Sequence, residues 1–152
     1  MNILVLGSGA REHSICWAVK KSKACKKLFC SPGNAGIEKV AECKFINLKK
    51  KLHILNFCKK NSIDLVIVGP EEYLADGVSD YLQAKGIKTF GPIKKAAKLE
   101  TSKSFAKSFL LKNKILTPKY RKFTTSNKAL NYLNSINFPV VIKADGLAAG
   151  KG

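Results

Sequence analysis

Histidine, arginine and paired cysteines are scarce in this chain of 152 residues, and each scarcity excludes a class of site. The two histidines are His13 and His53, and neither stands at ligand spacing from a cysteine. The five cysteines include no Cys-x-x-Cys pair, so neither a zinc site nor a disulfide framework is predicted. We expect reduced, mostly buried thiols and no metal-binding residue within this sequence.

Long apolar runs are also absent. No run approaches the ~20 residues that span a bilayer. The start of the chain lacks the basic segment of a signal peptide. We therefore expect a cytoplasmic protein with no membrane partner. A 45% share of apolar residues and a length of 152 suit one complete globular domain and the beginning of another.

Acidic residues are few, ten against 28 lysines and arginines, which leaves a net charge of +18. Such a charge attracts anions and raises the possibility of nucleic-acid binding. Arginine, however, makes most bidentate contacts to bases and phosphates, and it occurs only at Arg11 and Arg121. The lysines are scattered, and residues 61–84 contain none. We expect anionic metabolites as partners and no nucleic acid, which stays the less favoured alternative.

Short apolar runs alternate with helical patterns over the first part of the chain. The pattern predicts strands at residues 2–6, 27–30, 45–48, 64–68 and 87–90, and helices at 11–21, about 52–58 and 73–84, the last stopped by Gly86. This alternation predicts an α/β fold with a doubly wound parallel sheet.

Ligands bind beyond the carboxyl ends of the strands in such sheets. Here those ends are rich in Gly, Pro and Asn, at residues 7–12, 31–36, 69–72 and 91–92. A single loop of this kind is more typical of a tight turn. Because several occur at successive strand ends, we expect them to converge on one cleft.

The pattern changes after residue 90. We predict a helix at 101–112 with Phe105 and Phe109 stacked one turn apart, and a helix at 127–134 with Ser126 as its N-cap. Short strands are predicted at 120–123 and 139–143. A Thr-Pro break places the domain boundary between residues 117 and 118, which gives domains 1–117 and 118–152. The second is too short to bury a core alone.

The loop after the first predicted strand reads Gly7-Ser8-Gly9-Ala10-Arg11-Glu12, which suits anion binding at a helix N-terminus. A dinucleotide fingerprint needs a third glycine where Glu12 stands and an acid after the second strand, where none occurs, so NAD is disfavoured. The loop can seat one phosphate with help from Arg11. Glu12 and Glu71 each have two readings, a ligand-binding carboxylate or a first-turn acid that complements the helix dipole.

Residues 140–152 read Val-Val-Ile-Lys-Ala-Asp-Gly-Leu-Ala-Ala-Gly-Lys-Gly. This is not a Walker A loop, because three residues separate Gly146 from Gly150 and Gly152 stands where a hydroxyl is needed. Lys143 follows an apolar run, and since an isolated buried charge is costly, it must reach water or an anion. The lysine and the glycine loop suit a triphosphate clamp, and a solvated edge-strand lysine is the alternative.

Six segments, in this order, resemble the phosphoribosylamine–glycine ligase family over nearly the whole chain. They are residues 7–13, 32–36, 67–71, 90–92, 100–103 and 142–152. The resemblance implies a Rossmann-like parallel sheet, the pre-ATP-grasp domain, followed by the beginning of an ATP-grasp domain. Ala10 and Thr101 stand where the family often has glycine.

The resemblance also implies an activity, the ATP-dependent joining of glycine to 5-phosphoribosylamine through glycyl phosphate in purine synthesis. It implies Mg²⁺ or Mn²⁺, with ligands beyond residue 152, and a monomer when full-length. As supplied, the chain is expected to be an inactive N-terminal fragment. The alternative is a non-enzymatic Rossmann-type module that binds ATP or NAD by itself.

Site residues follow from the same resemblance, although no catalytic residue is assigned. Those implied to bind the nucleotide are Lys103, Lys143, Gly146, Gly150, Lys151 and Gly152. Those implied to line the phosphoribosylamine side are Gly9, Arg11, Glu12, Asn34, Gly69, Pro70 and Glu71.

Overall fold

A computed structural model describes residues 1–148 of the protein. The chain divides into two compact units, Met1–Ala97 and Lys98–Gly152. Three residues of the predicted nucleotide loop, Gly150, Lys151 and Gly152, lie outside the described residues.

The first unit is built on a five-stranded parallel sheet with the strand order β3-β2-β1-β4-β5. The strands are β1 (Asn2–Gly7), β2 (Lys27–Pro32), β3 (Glu42–Cys43), β4 (Leu65–Val68) and β5 (Lys88–Phe90). The central strand β1 pairs with β2 from Asn2↔Lys27 onward and with β4 from Ile3↔Leu65 onward. The strand order therefore reverses at β1, and the predicted α/β fold is confirmed.

Helices cover both faces of this sheet. They are α1 (Ala10–Lys20), α2 (Lys51–Lys60), α3 (Glu71–Ala75) and α4 (Val78–Gln83), with a 3₁₀ turn at Ile37–Lys39. A further helix, α5 (Lys94–Thr101), begins in the first unit and ends in the second. Successive residues of β1 point to opposite faces, so Leu4 and Leu6 join one buried cluster while Ile3 and Val5 join the other. A parallel sheet buried on both sides explains the uninterrupted apolar runs.

The third predicted strand, at residues 45–48, is wrong. The chain pairs with β2 earlier, at Glu42–Cys43, and then leaves the sheet. The backbone N–H of Ile46 donates to Ser31 Oγ at 3.1 Å, so it makes no ladder bond there. Ile46 is buried but Phe45 is 90% exposed. The apolar residues that suggested a strand belong to a loop packed on the core.

The helix predicted at 73–84 is broken in two. Gly77 has a φ of +77°, a left-handed conformation that glycine adopts without strain, and it separates α3 from α4. The predicted stop at Gly86 is confirmed. Gly86 has a φ of +78°, and the following N–H, of Ile87, donates to Leu82 O at 3.0 Å.

The second unit contains α6 (Lys103–Lys112) and α7 (Ser126–Leu133). Ser102 caps α6 by accepting a hydrogen bond from the N–H of Phe105 at 3.2 Å. Thr125, one residue before the predicted Ser126, is the N-cap position of α7. Phe105 and Phe109 stack with ring centroids 6.4 Å apart, as predicted.

The strands predicted at 120–123 and 139–143 are absent from the described residues. Val141 is 82% exposed and Ile142 is 79% exposed. A strand needs a neighbouring strand to pair its backbone groups, and the described part of this unit supplies none. The prediction of these two strands is therefore wrong for the described residues.

The division into units differs from the boundary predicted at 117/118. Lys107 Nζ donates to Thr117 Oγ1 at 2.6 Å and to the carbonyl of Pro118 at 3.1 Å. Thr117 and Pro118 are thus hydrogen-bonded to a side chain of α6, and the predicted boundary lies inside the second unit. The Thr-Pro pair follows α6 within the second unit.

Three of the five cysteines, Cys16, Cys30 and Cys58, are buried, in agreement with the expectation of mostly buried thiols. Among residues 1–148, no helix combines the length and apolar character that crossing a membrane requires.

Candidate functional site

The loops that follow β1, β2 and β4 meet at one edge of the sheet. The N–H of Gly33 donates to Gly7 O, and the N–H of Gly69 donates to Leu6 O, each at 3.1 Å. Asn34 Nδ2 donates to Ser8 O at 2.7 Å. The fourth loop begins beside them, since β5 pairs with β4 up to Phe90 opposite Ile67. The predicted strand ends therefore converge.

Glu12 lies inside this group of loops. It is only 3% exposed. Its Oε2 accepts a hydrogen bond from the N–H of Gly9 at 2.7 Å, and its Oε1 accepts one from Arg11 Nε at 3.0 Å. The Gly9 bond satisfies one of the orphan amides at the start of α1. Both oxygens are engaged, so Glu12 holds the loop in shape.

Glycines around Glu12 make room for its carboxylate. A β-carbon at Gly69 would lie 2.2 Å from Glu12 Oε1, and one at Gly7 would lie 2.6 Å from Glu12 Cγ. At Gly9 the corresponding distance to Glu12 Oε2 is 2.9 Å. At these separations a side chain would displace Glu12. The glutamate thus occupies the position of a fingerprint glycine, and the loop glycines accommodate it.

Arg11 and Glu71 connect the first and third loops at the exposed side of the group. Arg11 Nη2 donates to Glu71 Oε2 at 3.2 Å. The hydrogen bond to Glu12, and then the one to Glu71, raises the pKa of Arg11. The pKa of Glu71 is lowered, first by its own backbone N–H and then by Arg11. A guanidinium and a carboxylate, both ionised, are therefore available to a ligand at this edge.

Asn34 shapes the second loop. Its Oδ1 accepts from the N–H groups of Gly36 and Ile37, at 2.8 and 2.9 Å, while its amide contacts Ser8. Pro70 is the N-cap position of α3, so Gly69 and Pro70 are backbone-shaping residues. Of the residues predicted to line the substrate side, Arg11 and Glu71 present charged groups at the surface.

In the second unit, Lys103 lies beside the start of the glycine loop. Lys103 Nζ donates to Gly146 O at 2.7 Å. Gly146 has a φ of +97° and open space around its α-carbon. Lys143 is exposed. An ammonium therefore lies next to an unobstructed glycine, an arrangement that leaves room for an anion.

Residues 1–148 include no group of three His, Cys, Asp or Glu residues placed to hold a metal ion. A hollow of about 570 Å³ lies elsewhere, lined by Phe45, His53, Phe57 and their neighbours. The strand-end loops form an open edge and not this hollow. Asp145, which accepts hydrogen bonds from Ser104 at the start of α6, was not predicted from the sequence. An acid directly before a glycine loop, with serines flanking a lysine upstream, is the signal that could have indicated it.

The parallel sheet, its converging strand-end loops and the contact of Lys103 with Gly146 define the class of the protein. It is an α/β protein with a Rossmann-like N-terminal domain followed by the start of an ATP-grasp domain. The family model "Phosphoribosylglycinamide synthetase, N domain" matches residues 1–100, and that of the ATP-grasp (A) domain of the same enzymes matches residues 101–152. The chain belongs to the phosphoribosylglycinamide synthetase family.

Two curated relatives match along the whole chain. The phosphoribosylamine–glycine ligase of Clostridium acetobutylicum is 47% identical over 152 residues, and that of Fusobacterium nucleatum is 49% identical. In both cases the match covers 100% of this chain and 36% of the relative. The chain therefore spans about a third of the length of these relatives.

Two solved structures share the fold. The phosphoribosylamine–glycine ligase of Thermotoga maritima matches 100% of this chain and 35% of its own, with a TM-score of 0.75 and 31% identity. The N5-carboxyaminoimidazole ribonucleotide synthetase of Thermus thermophilus covers 90% of this chain and 37% of its own, with a TM-score of 0.70. At 18% identity, the second likeness concerns the fold alone.

Proposed function

We propose that this chain is the phosphoribosylamine-binding part, with the beginning of the nucleotide-binding part, of a phosphoribosylamine–glycine ligase. The complete enzyme joins glycine to 5-phosphoribosylamine, with ATP converting the glycine carboxylate to glycyl phosphate. The observation that carries the proposal is the direct hydrogen bonding of the loops after β1, β2 and β4 around one exposed arginine.

The substrate side is proposed to bind through charge and backbone amides. Arg11 and the first N–H groups of α1 suit the phosphate, because an anion at a helix N-terminus meets both the helix dipole and unpaired donors. Glu71 suits a ribose hydroxyl or the amine, since a carboxylate accepts hydrogen bonds from both. Glu12, Asn34, Gly9, Gly69 and Pro70 keep the loops in place.

The nucleotide side is proposed to use Lys103, Lys143 and the loop from Gly146 through Gly150, Lys151 and Gly152. An ammonium about 4 Å from a phosphate gains roughly 4 kcal/mol at an effective dielectric near 20, before desolvation. ATP supplies the phosphoryl group that activates the carboxylate, and Mg²⁺ or Mn²⁺ would balance charge on the phosphates. We place the metal ligands in the part of the enzyme beyond this chain, which we propose to be inactive alone, and monomeric when whole.

A chimera tests the proposal. The 152 residues replace the matching third of the Clostridium acetobutylicum ligase, and product formation is measured with glycine, ATP and phosphoribosylamine. We expect turnover by the chimera and none by the 152 residues alone. Arg11→Ala should raise KM for phosphoribosylamine at least tenfold, as roughly 1.4 kcal/mol of a charged hydrogen bond corresponds to a factor of ten.

The matched control is Arg121→Ala, which removes the same charge from the second unit and should leave that KM unchanged. A folded but inactive chimera, or an equal effect of both substitutions, would contradict the assignment of the substrate side.

The alternative, a non-enzymatic module, predicts that the isolated chain binds ATP or NAD tightly. Calorimetric titration separates the two functions. The ligase assignment expects weak ATP binding at best and no NAD binding, since Glu12 fills the space beside Gly7 and Gly69. Nucleic-acid binding is not expected, and a gel shift at physiological salt tests it.

A further inference from the structure

Asp145 accepts several hydrogen bonds from the protein although it is exposed and lies in a connecting loop. Its Oδ1 accepts from the N–H of Ser104 at 3.2 Å and from the N–H of Gly146 at 3.0 Å. Its Oδ2 accepts from Ser104 Oγ at 2.5 Å. Ser102 Oγ lies 3.3 Å from Oδ1. One side chain thus connects the base of the glycine loop to the amino end of α6, more than 40 residues earlier.

The amino end of α6 is suited to hold this carboxylate. The first N–H groups of a helix lack partners within it and carry partial positive charge. Lys122 Nζ donates to Ser104 Oγ at 3.2 Å, which turns the serine hydroxyl toward Asp145 as a donor. The Ser104 hydroxyl, and then its backbone N–H, lowers the pKa of Asp145. The carboxylate stays charged, so the contact is a charge-assisted one.

Lys103 is hydrogen-bonded to the same turn. Its Nζ donates to Gly146 O at 2.7 Å, while its neighbours Ser102 and Ser104 contact Asp145. Three consecutive residues of the α6 start therefore bind two consecutive residues of the loop. An ammonium has three donors, so Lys103 retains donors for a second acceptor.

The left-handed turn at Gly146 comes directly after Asp145, the residue that binds the α6 amino end. Its φ of +97° favours glycine, and a β-carbon there would meet no atom within 4 Å. The chain direction after residue 146 is thus set by a backbone angle that only glycine adopts freely, next to a residue fixed by its side chain.

We propose that Asp145 is a positioning residue of the nucleotide site. Its carboxylate holds the turn at Gly146 against the α6 amino end, and this sets where Lys103 meets the phosphates of ATP. The inference rests on the proposed function, because it assumes that Lys103 binds a nucleotide. Asp145 itself does not touch the phosphates.

Hydrogen exchange of the 152-residue chain tests the hydrogen bonds that Asp145 accepts from the Ser104 and Gly146 amides. In the ¹⁵N-labelled protein at pH 7 we expect the Ser104 and Gly146 amides to exchange on the order of tenfold faster in Asp145→Ala, as the loss of a charge-assisted acceptor predicts. Asp145→Asn keeps an oxygen acceptor and should fall between. The control is Asp76→Asn, which removes an exposed carboxylate from the first unit and should change neither amide.

Titration of the same proteins with MgATP tests the consequence. We expect Asp145→Ala to weaken the apparent Kd at least threefold, with Asp145→Asn intermediate and Asp76→Asn unchanged. A Kd insensitive to Asp145 overturns the positioning role even if exchange is faster. If the Ser104 and Gly146 amides exchange at the same rate in Asp145→Ala, the proposed contact between Asp145 and the start of α6 is overturned.

The failure of the proposed function has its own signature. One outcome is that neither the unsubstituted chain nor any variant shows an ATP-dependent chemical-shift change at millimolar ATP. If, in addition, the active chimera with Asp145→Ala keeps the KM for ATP of the unsubstituted chimera, the positioning role is overturned. If the chimera is inactive throughout, the ligase assignment falls, and a chain that still binds ATP more weakly in Asp145→Ala supports the positioning role by itself.

Discussion

The contact between Glu12 and Gly69 yields a prediction that depends on a distance and not on conformational preference. Gly69→Ala would place a β-carbon 2.2 Å from Glu12 Oε1 and 2.7 Å from Cδ and Cγ. Glu12 is held by Gly9 and Arg11 on its other side, so it cannot move without breaking those bonds. Overpacking of this kind costs about 1–3 kcal/mol in the free energy of unfolding.

Glu12→Ala removes the obstacle and also removes a buried acceptor. The Gly9 amide, which Glu12 caps at the start of α1, is then left without its charged partner, and this costs roughly 1–3 kcal/mol. In the Glu12→Ala background the methyl group of Gly69→Ala enters vacated space, so its own cost should approach zero. The double-mutant cycle should therefore give a coupling of about 2 kcal/mol, with the double variant more stable than the sum of the single changes predicts.

Urea unfolding at pH 7, followed by circular dichroism, measures the four proteins of the cycle. Gly86→Ala is the matched control in both backgrounds. Gly86 has a φ of +78° in open space, so it should cost about 1–2 kcal/mol whether or not Glu12 is present. Additive free energies for Glu12 and Gly69, within about 0.3–0.5 kcal/mol, would refute the reasoning.

Three further results are expected. In native protein at pH 8, Ellman's reagent should label Cys25 and Cys43 first and Cys58 slowly, because burial raises the pKa of Cys58 to about 11, and equal rates would contradict the packing. Leu4→Ala, in the fully buried centre of β1, should lower the unfolding free energy by about 3 kcal/mol in a urea titration. Glu71→Gln should flatten the loss of stability in acid, measured by urea titrations from pH 7 to pH 3. A carboxyl group whose pKa is lowered in the folded protein stabilises the fold at a pH above its ordinary pKa. That stabilisation is lost as the pH falls through the pKa of the folded state. If Glu71→Gln leaves the fall of stability in acid unchanged, the result counts against the Arg11 contact.

Local patterns predicted the elements that are buried on both sides. Leu65–Val68 is an uninterrupted apolar run between Asp64 and Gly69, and as an inner parallel strand it buries residues 66–68. The turn at Gly86 was equally predictable, because a left-handed residue at a helix end favours glycine. The strand at 45–48 was mispredicted since Ile46 is buried by loop packing, which leaves the same apolar trace as a strand.

The sequence alone determined the alternation of strands and helices, the glycine-rich strand ends and the family, because each depends on residues that are neighbours along the chain. The tertiary structure decided what the carboxylates of Glu12 and Asp145 contact. Glu12 fits against Gly69, which follows a different strand, and Asp145 reaches Ser104 at the start of a distant helix. A carboxylate has the same composition whether it faces a ligand or a backbone amide, so only the folded chain, by placing the amides, distinguishes the two roles.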